Sequence, residues 1–266
     1  MASPLPSSFV HRPAVIGMVH VGALPGTPGS KLSVAELTDR AVAEALIYRD
    51  AGVDGVMLEN MHDRPYLNGV VGPEITAIMT RIATTVRAEI TCPCGIQILA
   101  AANGAALAVA LAADLQFVRV EGFVFAHIAD EGWIDGCAGK LLRERKRLGA
   151  EHIEIWADIK KKHSAHAITA DVSLAETAQT AAYNLADAVI VTGSHTGQPA
   201  DTDDLLAVKR NNPKLPIYIG SGITAENAHQ YASADGFIVG SSLKKDGHWE
   251  NPLDRDRIAA LLDAVR

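Results

Sequence analysis

The chain has 266 residues, of which 48% are hydrophobic and 5% aromatic, and its formal net charge is −7. That length fits one large α/β unit. The acidic balance excludes nucleic acid as the main partner, because phosphate backbones are bound through an excess of Lys and Arg. No apolar run approaches the ~20 residues needed to span a bilayer, so no integral membrane segment is expected.

The start, "MASPLPSSFVHRP", reads as an N-terminal extension over 1–13, followed by one barrel domain over 14–266. It has Ser, His and Arg and no acid, the composition of a weak mitochondrial leader. Cys92, Cys94 and Cys137 make no paired framework and no zinc spacing, which points to reduced thiols and a cytoplasmic compartment.

Short β-type runs then recur, each followed by a helical pattern. They are "AVIGMVHV" (14–21), "DGVMLEN" (54–60), "GIQILAA" (95–101) and "LQFVRVEG" (115–122), then "IEIWADI" (153–159), "DAVIVTG" (187–193), "PIYIGSG" (216–222) and "DGFIVGS" (235–241). Eight parallel strands close a (β/α)8 TIM barrel. Between them, Ser33 with Glu36 and Ser173 with Glu176 fit the capping box, in which hydroxyl and carboxylate satisfy each other's orphan amides. Pro73 suits the first turn of a helix, and Gly52 and Gly149 suit helix ends. Three connections, Gly22–Leu32, Met61–Gly72 and Phe123–Gly139, are long, and all follow strands, on the side of such a barrel that carries the chemistry.

The seventh and eighth strands end in glycine. Gly220, Ser221, Gly222, Gly240, Ser241 and also Ser242 are read as a phosphate cradle, because glycine lets backbone N–H groups approach a ligand. Thr224, with Glu226 and Asn227 behind it, is expected to open a helix whose amino end adds its dipole to that site. "GALPGTPGSK" and "GCAGKLL" lack the phosphate-loop spacing, and no Gly-x-Gly-x-x-Gly follows the first strand, so a P-loop hydrolase is excluded.

The carboxyl ends of the strands are polar. His20, Glu59, Glu121, Asp158, Lys162 and His163 are the candidate catalytic residues, since they combine a near-neutral imidazole with carboxylates and a lysine. Asn60, Arg64, Thr192 and His195 are candidate ligand contacts, Arg64 through its planar fork. Gln97 or Asn103 would stand on the same rim. Lys160 and Lys161 read as solvated, and His62, His127, His152 and His229 as ordinary loop or helix residues. The motifs require no cofactor. Asp158, His163 and Glu121 offer donors to a divalent metal, but no His-x-His or His-Glu-x-x-His spacing supports one.

Several strings together, "IGMVHVGALPGTPG", "DGVMLENMHDRPY" leading into "VGPEITAIMTRIA", "ADIKKKHS", "VTGSHTGQP" and "IGSGITAENA", resemble the BtpA family from about Val15 to about Leu262. The resemblance implies a TIM barrel of the ribulose-phosphate-binding kind. It marks His20, Pro25, Gly26, Glu59, Asn60, Asp63 and Pro65 in the first half, and Asp158, Lys162, His163, Gly193, Thr196, Gly197 and Gly220 to Gly222 in the second. It also implies a role in photosystem I biogenesis for some members.

The expected function is acid–base isomerisation or lysis of a small phosphorylated ligand, a sugar phosphate or nucleotide-derived sugar, by a homo-oligomer. The rival is a non-catalytic assembly or stability factor of the photosystem I biogenesis type. It predicts a broad exposed apolar patch and a mouth plugged by Met61–Gly72. The enzyme reading requires that residues 158–163 and 220–222 share one rim.

Overall fold

The computed structural model describes residues 9–193 and 199–266. Eight parallel strands close into a barrel: β1 (Ala14–His20), β2 (Gly55–Glu59), β3 (Cys94–Gln97), β4 (Phe117–Val120), β5 (Glu154–Ile159), β6 (Ala188–Val191), β7 (Ile217–Ile219) and β8 (Gly236–Val239). Each neighbours the next in chain order, and β8 closes on β1 with Ala14 opposite Gly236. The expected strand runs all appear, trimmed at their ends except that β3 starts one residue earlier, at Cys94.

Three aromatic rings fill the barrel interior. Trp156 stacks between Phe117 and Tyr218, with both centroid separations 4.0 Å. Such rings fit because facing positions lack side chains. A Cβ on Gly95 would stand 2.2 Å from the Phe117 ring, and one on Gly236 would stand 2.7 Å from Tyr218. Phe9 meets Trp156 edge-on at 6.4 Å, so the segment before β1 packs against the inner core. Outside the barrel, Tyr48 of α1 (Val34–Ala51) is fully buried and donates its hydroxyl to the Met18 carbonyl at 3.1 Å.

The helix punctuation behaves as its chemistry dictates. Ser33 and Glu36 form a capping box on α1, and Gly52 ends that helix in the left-handed region at φ 80°. Pro73 opens α2 (Pro73–Glu89). Next come α3 (Asn103–Ala112), α4 (Ala138–Arg147) and α5 (Leu174–Tyr183), the last capped by Ser173 and Glu176. The remaining α-helices are α6 (Thr202–Asn211) and α7 (Arg255–Val265).

One expectation fails after β7: no helix opens at Thr224. Its N–H donates to Asn227 Oδ1 at 2.8 Å, and Asn227 Nδ2 donates to the Gly222 carbonyl at 2.8 Å. The asparagine side chain closes a local turn in place of the helical ladder, and only a 3₁₀ turn follows at Ala228–Tyr231. An anion here would meet loop amides without a helix dipole.

Two of the long connections interlock over the mouth. The chain after β4 forms a hairpin of His127–Ala129 and Gly132–Ile134, which pairs with Ser164–Ala165 from beyond β5. Asn68, in the 61–72 connection, donates its amide to the carbonyls of Glu131 (3.0 Å) and Trp133 (2.9 Å) at the hairpin. No helix among the described residues is long and apolar enough to cross a membrane.

Candidate active site

A cavity of about 570 Å3 opens at the carboxyl end of the strands. Its lining includes His20, Glu59, Glu121, Asp158, Lys162 and His163, and also Gly220, Ser221, Gly222, Gly240, Ser241 and Arg64. Residues 158–163 and 220–222 therefore share one rim. Met61, Arg64 and Tyr66 form part of the wall, so the 61–72 connection borders the mouth without plugging it.

Register explains part of this convergence. His20, Glu59 and Gln97 are successive partners across β1, β2 and β3, and residues in register on parallel strands point to the same side. Gln97 lines the cavity and is 2% exposed, and its Oε1 has no partner among the described residues. Asn103 lies behind this wall, donating to the Glu121 carbonyl at 2.7 Å.

The charges on the floor fall into two classes. Arg119 reaches Asp158 through two hydrogen bonds, Nε to Oδ2 at 2.8 Å and an Nη to Oδ1 at 3.0 Å, with side chains 6% and 1% exposed. Lys161 Nζ lies 3.3 Å from Glu121 Oε1, while Glu121 Oε2 accepts the Ala101 N–H at 2.7 Å. Glu59 and Lys162 are left. Neither side chain has a hydrogen-bond or ion-pair partner among the described residues. Burial pushes the Glu59 carboxyl up, against the pull of Arg119 and Lys162. Burial likewise pushes the Lys162 ammonium down, helped by the nearby Arg119 charge. Both groups are thus moved toward their neutral forms.

His20 is held neutral. Burial and then the Lys244 ammonium bring its pKa from 6.5 to about 3. The unfolded chain therefore takes up a proton below pH 6.5 that the native ring refuses. Stability present above pH 6.5 is lost as pH falls toward 3, by at most about 1.4 kcal/mol per pH unit. His20→Asn should flatten this loss in melting curves taken at both ends of that window. Equal losses in the two proteins would mean that the native ring is charged.

The cradle region is built from two adjacent strand exits. The N–H groups of Gly222, Ile223, Ser241 and Ser242 have no acceptor among the described residues. Gly222 needs its φ of +73° to make the turn. Arg257 of α7 lines the same wall, with an Nη 3.3 Å from the Ser242 carbonyl. A Cβ on Gly240 would come within 2.9 Å of the His20 ring, so the glycine makes room for the imidazole.

Several expectations change. Asn60 is 1% exposed and spends its amide on Asp63 and the Leu99 N–H, knitting loops together away from the cavity. Thr192 stands behind Gly220, its hydroxyl buried and without a partner among the described residues. His195, Thr196 and Gly197 lie outside the described residues. Arg64 is paired with Glu250 at 2.9 Å and stacked 4.7 Å over Trp249. Among the described residues no group of three or more His, Cys, Asp or Glu is placed to hold a metal. Of the proposed trio, Asp158 and Glu121 have their oxygens committed to Arg119, Lys161 and Ala101.

Sequence reasoning also misread or missed several buried or cavity-lining positions. Lys161, read as solvated, is 7% exposed in its ion pair. His127, read as ordinary, is 5% exposed, and burial lowers it to about 4. Arg119 carried a readable signal, since "VRVE" puts it two residues before Glu121 on the inward face. Trp249 and Arg257 carried none.

A model of the BtpA family matches residues 11–266. The chain belongs to the BtpA family. It is 49% identical over 262 residues to an uncharacterized mitochondrial protein of Caenorhabditis elegans, covering 96% of this chain and 93% of that one. It is 34% identical over 256 residues to the photosystem I biogenesis protein BtpA of a Synechocystis strain, covering 96% and 88%. Among solved structures, this BtpA-family barrel is similar to the phosphoribosyl anthranilate isomerase of Thermus thermophilus. The TM-score is 0.57, with 11% identity and coverage of 94% and 97%. It is also similar to the (S)-3-O-geranylgeranylglyceryl phosphate synthase of Thermoplasma acidophilum, solved in complex with sn-glycerol-1-phosphate. There the TM-score is 0.59, with 14% identity and coverage of 95% and 92%. At such identities the likeness is one of fold, a TIM barrel.

Proposed function

We propose that this chain is an enzyme acting on a small phosphorylated metabolite, a sugar phosphate or nucleotide-derived sugar, by acid–base isomerase or lyase chemistry. The observation that carries the reading is the sorting of charges on the floor. Arg119 and Asp158 neutralise each other, as do Lys161 and Glu121, leaving Glu59 and Lys162 without a direct partner at the strand ends, while Asp130 and Glu131 of the hairpin also line the cavity. A carboxyl raised toward neutrality can exchange protons with a bound ligand. A cation beside it can stabilise an enolate-like charge. The open amides of Gly222, Ile223, Ser241 and Ser242, with Arg257, suit a phosphate. The sn-glycerol-1-phosphate bound to the Thermoplasma neighbour supports the same reading. For location, the mitochondrial description of the worm relative supports the leader alternative over the cytoplasm.

Calorimetry with matched pairs of phosphorylated and dephosphorylated sugars tests the proposal. The phosphorylated member should bind at least ~10-fold more tightly, and Arg257→Ala should weaken it by about the same factor, as expected for a hydrogen bond to a charged group. Equal binding of both members would overturn the reading. That outcome favours the scaffold alternative, for which Ile128 and Trp133, 46% and 50% exposed and opposite each other on the hairpin, offer an apolar contact. The name of the Synechocystis relative points the same way.

A further inference from the structure

Resting on that reading of the cavity, we infer that the ligand carries an aldehyde or ketone and that Lys162 captures it covalently as an imine. The argument starts from how the fold treats its buried cations, against which the half-buried Lys162 can be compared. Arg119 has a bidentate carboxylate, Lys161 has Glu121, and Lys244, 2% exposed, has Glu44 at 3.1 Å. A lysine kept only as a positive charge would need the same treatment to offset its desolvation. Lys162 has no carboxylate in direct contact among the described residues: it faces the cavity beside Arg119, with Glu59, Asp158 and Glu121 acting on it only from a distance. An ammonium in that setting gives up its proton more readily than an exposed one, and the free amine is the nucleophile.

The second half of the chemistry stands three strands away around the barrel, on β2. Glu59 has no direct ion-pair partner among the described residues, and burial shifts it toward its protonated form, so it holds a proton that can be delivered. Met18 and Ile238, each 3% exposed, add apolar lining to the same cavity. The amine nitrogen of Lys162 bonds to the carbonyl carbon while the π pair moves to oxygen, and one proton passes from nitrogen to that oxygen. Glu59 then protonates the hydroxyl, which leaves as water as the nitrogen lone pair closes the C=N bond. Amine, carbonyl and carboxylic acid become iminium, water and carboxylate, so atoms and charge balance without an external reagent. The new Glu59 carboxylate stands ready as the base for a proton on the adjacent carbon.

Borohydride trapping tests this. The full chain is incubated with dihydroxyacetone phosphate, ribulose 5-phosphate or ribose 5-phosphate, reduced, digested and mapped by mass spectrometry. Glycerol 3-phosphate and ribitol 5-phosphate serve as carbonyl-free controls in parallel calorimetry. The expected result is a secondary-amine adduct on the peptide carrying Lys162, suppressed by inorganic phosphate and lost in Lys162→Arg. Mapping on the unaltered protein keeps the test valid even if that variant folds poorly. Adducts scattered over exposed lysines and indifferent to phosphate would overturn the inference. Binding of the carbonyl phosphates without an adduct would overturn it too, while leaving the phosphorylated-ligand reading intact. No binding by any phosphorylated compound would remove both.

Discussion

Arg119→Met is expected to lower folding stability by about 3–5 kcal/mol in denaturant titrations, the usual cost of removing one partner from a buried ion pair. Burial works against the Arg119 charge. The bidentate Asp158 carboxylate more than offsets it, so the guanidinium is held above its ordinary value. Removing the guanidinium strands a carboxylate whose side chain is 1% exposed. Methionine keeps much of the volume, so the loss would report charge more than a cavity. Removing both charges, as Arg119→Met with Asp158→Leu, should recover most of the stability, because a well-packed apolar pair can equal a buried ionic one. A single-variant loss of only about 1 kcal/mol, the scale of an exposed pair, would mean that water reaches this contact.

Glu59→Gln should separate stability from turnover. On the proposed reading it removes the proton donor, and turnover should fall by about 10²–10⁴-fold, the usual contribution of a positioned acid or base. Ligand affinity should change little, because the open amides lie at the exits of β7 and β8. Stability should move the other way. The folded pKa of Glu59 lies above its ordinary 4.5. Below pH 4.5 the group is protonated in both states and contributes its full share. That share is lost as pH rises through the folded value, because a buried site must then hold the charge. Glutamine carries no such charge, so the variant should unfold later than the parent at neutral pH and level with it below pH 4.5. Activity should also lose the alkaline fall produced when the parent's carboxyl gives up its proton. A variant that is both fully active and less stable would show that Glu59 has a structural partner instead.

The barrel was legible because its signals are local. Strand alternation, two capping boxes, Pro73 and Gly52 each depend on a few adjacent residues, and all hold in the fold. The placement of His20 and Glu59 was legible for the same reason, since register carries period-two alternation around the barrel. Beyond the strand ends that logic lapses. Lys160 and His163 adopt φ of +46° and +54°, which breaks the alternation after β5. Lys161 consequently turns inward to Glu121, which alternation read from Asp158 could not foretell. The turn after Thr224 depends on one asparagine competing with a helical ladder, a contest among near-equal local bonds. Trp249 and Arg257 reach the cavity from beyond β8, and their placement depends on how that connection folds back over the mouth.

The two ion pairs that line the cavity span the same boundary. Arg119 and Glu121 belong to β4 and its exit, and Asp158 and Lys161 to β5 and its exit. That boundary is also the midpoint of the cylinder, so neither half alone can form either pair. An intermediate with one half formed is therefore penalised, and separated half-chains should have little independent stability. The site's own ion pairs thus tie the two halves of the cylinder to each other.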